Sequence, residues 1–126
     1  MSEVQEFEAK LRKAFHDLAL KTSQTNDQLE EVRYTKNLME QNIKVAEIAK
    51  EEVGKLEPER DVYHSIGRIF VYRKHDEEIN DQQKDIENYK KKIEDLEKQK
   101  EYLTKSLNDA QTNLREMVQQ SRTEKA

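Results

Sequence analysis

Asp61-Val62-Tyr63-His64-Ser65-Ile66-Gly67-Arg68-Ile69-Phe70-Val71-Tyr72-Arg73 is the stretch that decides the fold. Valine, isoleucine, tyrosine and phenylalanine crowd into it, and such side chains fit a pleated surface better than a helix. Gly67-Arg68 at its centre reads as a tight turn, which predicts a β-hairpin with strands near 61–66 and 69–73. The two turn residues leave the turn type open. Everything on either side of this hairpin reads as helix, so the hairpin is a connection between two helices.

Upstream, Gly54 and Pro58 mark the end of a helix that spans about 3–53, the glycine as a residue that tolerates a left-handed C′ position and the proline because it cannot continue the helix. Its start is signalled by Ser2 and Gln5, which fit a capping box, with Glu3 and Glu6 placed favourably in the first turn. Between these ends, residues recur at three- and four-residue steps: Val4, Phe7, Leu11, Phe15, Leu18, Thr22, Thr25, Leu29, Val32, Lys36, Met39, Ile43, Ala46, Lys50 and Val53. This spacing is a coiled-coil seam. Two four-residue steps in succession, Phe7 to Leu11 to Phe15, predict a stutter there that relaxes the supercoil, and Thr22 and Thr25 predict a weakly zipped gap. Leu38, Val45, Ile48 and Leu56 lie off the seam, so this helix carries a second apolar stripe and needs a second packing partner, such as a sheet above it.

Downstream, Asp76, Glu77 and Glu78 favour a helix start. The seam that follows is cleaner: Ile79, Gln82, Ile86, Tyr89, Ile93, Leu96, Lys100, Leu103, Leu107, Ala110, Leu114 and Met117. The helix is expected over about 76–121, with a frayed end at 123–126. At about 1.5 Å per residue each helix is roughly 70 to 75 Å long, and two such helices joined by a compact hairpin pack most economically antiparallel. The expected pairing sets Val53 opposite Ile79, Met39 near Tyr89 and Ile93, Leu29 near Leu103, and Leu18 near Leu114. The chain is thus one mainly α domain over 1–126, a long antiparallel two-helix coiled coil with one hairpin at the connection.

Composition agrees with so narrow a core: 33% of the 126 residues are hydrophobic and 40% charged, against two glycines and one proline. The 23 Lys and Arg are interleaved with 27 Asp and Glu, which argues against a nucleic-acid or anionic-membrane footprint, and Lys90-Lys91-Lys92 has acids within helical pairing distance. Without cysteine there is no disulfide or thiolate metal site. No secretory leader or membrane span is read, so a soluble, cytoplasmic protein is expected. His16, His64 and His75 have no companions at triad or ligand spacing and read as surface or strand-filling residues, and no glycine-rich loop cradles phosphate. No catalytic residue, metal site or cofactor is expected.

A two-stranded sheet exposes backbone donors and acceptors on both edges, so the hairpin needs strands from other chains. Val62, Tyr63, Ile66, Gly67, Ile69, Phe70, Val71 and Tyr72 are its candidate oligomerisation residues. At the opposite ends of the helices, Val4, Phe7, Leu11 and Phe15 with Leu114, Met117 and Val118 form a candidate tip that offers adaptable apolar contacts to another polypeptide.

Helix, single hairpin and helix in this order, with Val62-Tyr63-x-x-Ile66-Gly67-Arg68-Ile69-Phe70-Val71 as the hairpin, resembles the β-type subunits of prefoldin over nearly the whole chain. The resemblance implies a heterohexamer of two α-type and four β-type subunits whose hairpins combine into a β-barrel base. It further implies ATP-independent capture of unfolded actin and tubulin at the coiled-coil tips, and their transfer to the cytosolic group II chaperonin. A structural tether or scaffold that uses the hairpin only to oligomerise is the alternative reading.

Overall fold

The computed structural model describes residues 2–125, with side chains for 2–123. Helix α1 (Glu3–Gly54), strands β1 (Val62–Ile66) and β2 (Ile69–Arg73) and helix α2 (His75–Lys125) follow in order. The chain divides into two compact units: one joins α1 up to Arg33 with α2 from Glu97, and the other holds Tyr34–Leu96.

In the Tyr34–Leu96 unit, β1 and β2 pair antiparallel, with Ile66 opposite Ile69 across a two-residue turn. Gly67 has φ of 61° and no other described residue has positive φ, so the turn has the II′ form, whose first central position favours glycine. The antiparallel course of the helices is fixed by two links, the Val53 carbonyl with His75 and Lys50 with Gln83. Met39, Ala46, Val62 and Ile86 form the apolar core. His75, Glu78 and Gln82 continue it as a buried polar layer at the start of α2.

Gly54 does not take the expected left-handed position. Instead α1 tightens at its end, where Leu56 N–H donates to the Val53 carbonyl at 3.1 Å, and His75 Nε2 donates to the same oxygen at 2.8 Å. One carbonyl of the last helical turn, that of Val53, is thereby satisfied in part from the start of the next helix. The proline acts after the helix, in a turn in which Arg60 N–H donates to the Glu57 carbonyl. His75, read from sequence as a surface residue, is buried by this capping role, and His64 is half-buried beside Glu78.

In the other unit the two helix segments share grooves, one lined by Lys21 with Tyr102, Ser106 and Ala110 and another by Lys21 and Thr25 with Leu103 and Ser106. Val32, Leu114 and Thr25 are buried. Thr25 therefore closes the seam that the sequence reads as gapped, and Thr22 turns its hydroxyl onto the Leu18 carbonyl at 2.7 Å. The most buried positions of α1, Thr25, Val32, Met39 and Ala46, recur every seven residues. Towards the N-terminus the seam runs through Phe7, Leu11, Ala14, Leu18 and Lys21, in regular steps of four and three. Phe15 and Val4 are exposed, contrary to the expected seam, and the successive four-residue steps fall at Lys21–Thr25–Leu29 rather than at the aromatic residues. Lys100 also lies outside the core, its charge in water. Gln5 N–H donates to Ser2 Oγ at the start of α1, the N-cap half of the predicted box. Thr123 to Lys125, expected to fray, are helical, and Ala126 lies outside the described residues.

Candidate interaction surfaces

Alternation along the strands gives the hairpin two unlike faces. On one, Val62 is buried, His64 Nδ1 lies 3.1 Å from Glu78 Oε1, and Arg73 Nη2 lies 2.6 Å from Asp81 Oδ2. Gln82 Nε2 donates to the same Glu78 oxygen at 2.8 Å. Each strand is thus fastened to α2 by one polar link, and the carboxylate that holds β1 is itself positioned one helical turn away. Exposed surface ion pairs contribute little, but Glu78 and Gln82 are buried, where losing a partner is costly.

On the other face, Tyr63, Phe70 and Tyr72 are exposed, Phe70 by 73%. The Tyr63 and Tyr72 rings meet edge to face with centroids 6.0 Å apart, a rigid aromatic platform facing solvent. Towards the turn the first face opens too, leaving Ile66, Ile69 and Val71 exposed. Among the described residues the sheet has two strands, so both outer edges keep unpaired backbone groups. A surface this apolar with free strand edges is built to be covered by other strands.

The second set of candidate residues lies in the other unit, in graded states of exposure. Phe15 is 52% exposed and Val4 is exposed; Phe7, Leu11, Met117 and Val118 are half-buried; Leu114 is only 8% exposed. Ala14 and Leu18 on α1 are half-buried like Met117 and Val118 on α2. Phe15 instead borders a shallow groove on the outer side of α1 with Leu18, Ala19, Thr22, Ser23 and Asn26. Phe15 is accessible while the helices stay paired, whereas Leu114 is exposed only if they separate.

The sequence reading missed exposed Leu20, Tyr34 and Tyr102 and the burial of His75 and Glu78, while Gln82 is buried as its seam position predicts. For the tyrosines the signal was spacing from a neighbouring apolar residue. For His75 and Glu78 there was none, because Val53 and His64, which they meet, are distant in sequence. Among the described residues no group of three or more His, Cys, Asp or Glu is placed to hold a metal ion, and no helix is long and apolar enough to cross a membrane.

Comparison with known proteins accords with this architecture. The prefoldin subunit family matches residues 16–121. Two curated relatives named probable prefoldin subunit 1, from Caenorhabditis elegans and Caenorhabditis briggsae, are 35% and 34% identical over 112 residues, covering 89% of this chain and 96% of each relative. The crystal structure of the prefoldin beta subunit from Thermococcus strain KS-1 has the same fold, with a TM-score of 0.68 at 20% identity over 85% of this chain and 90% of that one. The beta2 subunit from the same strain gives 0.61 at 24% identity, over 72% of this chain and 97% of its own. A chain with this fold, matched along most of its length by relatives of this kind, belongs to the prefoldin subunit family.

Proposed function

We propose that this chain is one of the four β-type subunits of a cytosolic prefoldin heterohexamer, capturing unfolded polypeptides such as actin and tubulin and passing them to the group II chaperonin without ATP. Family membership supports a chaperone-subunit role and assembly with other prefoldin subunits, and a chain without enzyme chemistry fits that role. The finer reading rests on one observation above all: the pairing of the helices leaves in water the apolar side chains of the hairpin and, on α1, those of Val4 and Phe15.

The hairpin residues Val62, Tyr63, Ile66, Gly67, Ile69, Phe70, Val71 and Tyr72 serve assembly, since exposed strand edges recruit strands. Val4, Phe7, Leu11, Phe15, Leu114, Met117 and Val118 serve client capture. Phe15 and Val4 make the first contact, and the half-buried residues join as the helix ends part. Each contact is weak, and several arms on one client raise affinity by multivalency. Burial of Leu114 favours the scaffold alternative, in which this seam stays shut.

The test is to replace Phe7, Leu11, Phe15 and Met117 with serine in the reconstituted complex. The expected result is an intact assembly that no longer suppresses aggregation of denatured actin. Unchanged suppression would refute client capture at these residues and leave the scaffold reading.

A further inference from the structure

The outer side of α1 in the Tyr34–Leu96 unit, turned away from α2, carries large apolar residues that the unit leaves in water. Tyr34, Leu38, Val45 and Ile48 are exposed by 71%, 41%, 66% and 61%. With Gln41 they are spaced by four, three, four and three residues, the step pattern of a coiled-coil seam. The equivalent outer side of α2 in the same unit carries Lys84, Asn88 and Lys91, all exposed, an ordinary solvated ridge. Solubility alone accounts for the ridge on α2 but not for the stripe on α1.

Resting on the reading that the chain works inside an assembly, we propose that Tyr34–Ile48 is a second helix-docking seam, and that its occupant is an amphipathic helix of a neighbouring subunit. The spacing selects a helix over a strand. A strand repeats every two residues and would match this stripe at isolated points, whereas a second helix follows it through consecutive turns. The rims specify the occupant further. Thr35, Asn42 and Ala49 border one side, small or uncharged, and allow close approach. Glu40, Glu47 and Glu51 border the other with Lys44 among them, so the matching helix carries Lys or Arg along that edge. A second copy of this stripe packed antiparallel would bring acidic rim against acidic rim. The hairpin supplies the second argument: it belongs to the same unit, and strands recruited by it bring their own helices into the neighbourhood of this face.

A photo-cross-linking residue in place of Val45, and separately of Ile48, in the reconstituted complex tests the proposal. Adducts are mapped by mass spectrometry. The expected adducts fall on helical residues of a different subunit, three or four apart for the two positions, and Val45→Glu with Ile48→Glu abolishes assembly with that subunit while helicity persists. Adducts on strand residues, on a second copy of this chain or on a bound client, or no adduct at all, would overturn it. In parallel, Phe70→Ser with Tyr63→Ser tests assembly through the hairpin. An intact complex there defeats that reading whatever the cross-links show, and its loss alongside absent cross-links defeats only the docking seam.

Discussion

Replacing Phe15 and Leu114 with alanine, one at a time, separates two residues of the same candidate surface that the structure places in opposite environments. Leu114 is 8% exposed. Its truncation removes about three methylene equivalents at roughly 0.8 kcal/mol each and leaves part of a cavity, so the expected cost is about 2 to 3 kcal/mol, the lower part of the range for leucine to alanine. Phe15 is 52% exposed, so only about half of the roughly 1.5 to 3 kcal/mol for full burial is at stake, and alanine's better helix propensity returns about 0.5 kcal/mol. The net expectation for Phe15→Ala is a loss of about 0.5 kcal/mol. Amide hydrogen exchange in the assembled complex reads these as local opening. Peptides covering residues 7–22 and 107–121 should exchange roughly 30- to 150-fold faster in Leu114→Ala and about twofold faster in Phe15→Ala. Aggregation suppression should move the other way, falling clearly in Phe15→Ala although the helix pair is intact. An exchange increase above about 20-fold in Phe15→Ala would put the phenylalanine back in the seam and refute its role as a free contact residue.

Three further outcomes follow from the hairpin end. Glu78→Ala leaves the buried Gln82 amide without its acceptor and frees β1 from α2, an expected loss of about 1 to 3 kcal/mol, with a non-additive double-mutant cycle against Gln82→Ala in urea unfolding; strict additivity would deny the link. At Gly67 a Cβ meets nothing within 4 Å, so Gly67→Ala costs only the positive-φ backbone, about 1 to 3 kcal/mol, as read by thermal stability of the complex; an unchanged stability would deny the II′ turn. His75→Ala removes a cap from the Val53 carbonyl and should cost about 1 kcal/mol, with faster exchange confined to the amides flanking the hairpin; an effect spread along both helices would contradict a local cap.

The hairpin and both helices were legible because their signals are local: a β-branched and aromatic run around Gly67, and long stripes at helical spacing on either side. Phe15 was misplaced because it and Ala14 both continue the steps from Leu11. A large aromatic side chain draws the seam towards itself on the page, while in the molecule the smaller alanine fits between the helices. Tyr34 was overlooked as an isolated residue, though its spacing to Leu38 matches that of Gln41 to Val45. The burial of His75 and Glu78 was beyond reach. His75 answers to Val53 and Glu78 to His64, and no periodicity in a charged sequence distinguishes a carboxylate buried against a distant partner from one in water. Assembly was visible as a need, through unpaired strand edges, while the identity of what meets them is written in other chains.

The junction of Val53 with His75 closes the chain on itself where one helix ends and the next begins. Segment 54–74 therefore leaves and returns at the same place, and the pairing of α1 with α2 does not depend on how far the chain travels in between. Such an excursion is a cassette: its outward residues Tyr63, Phe70 and Tyr72 can be altered in sequence while Val62, His64 and Arg73 keep their hold on the helices. Within one scaffold, the surface that the hairpin presents can change without altering the junction that holds the two helices together.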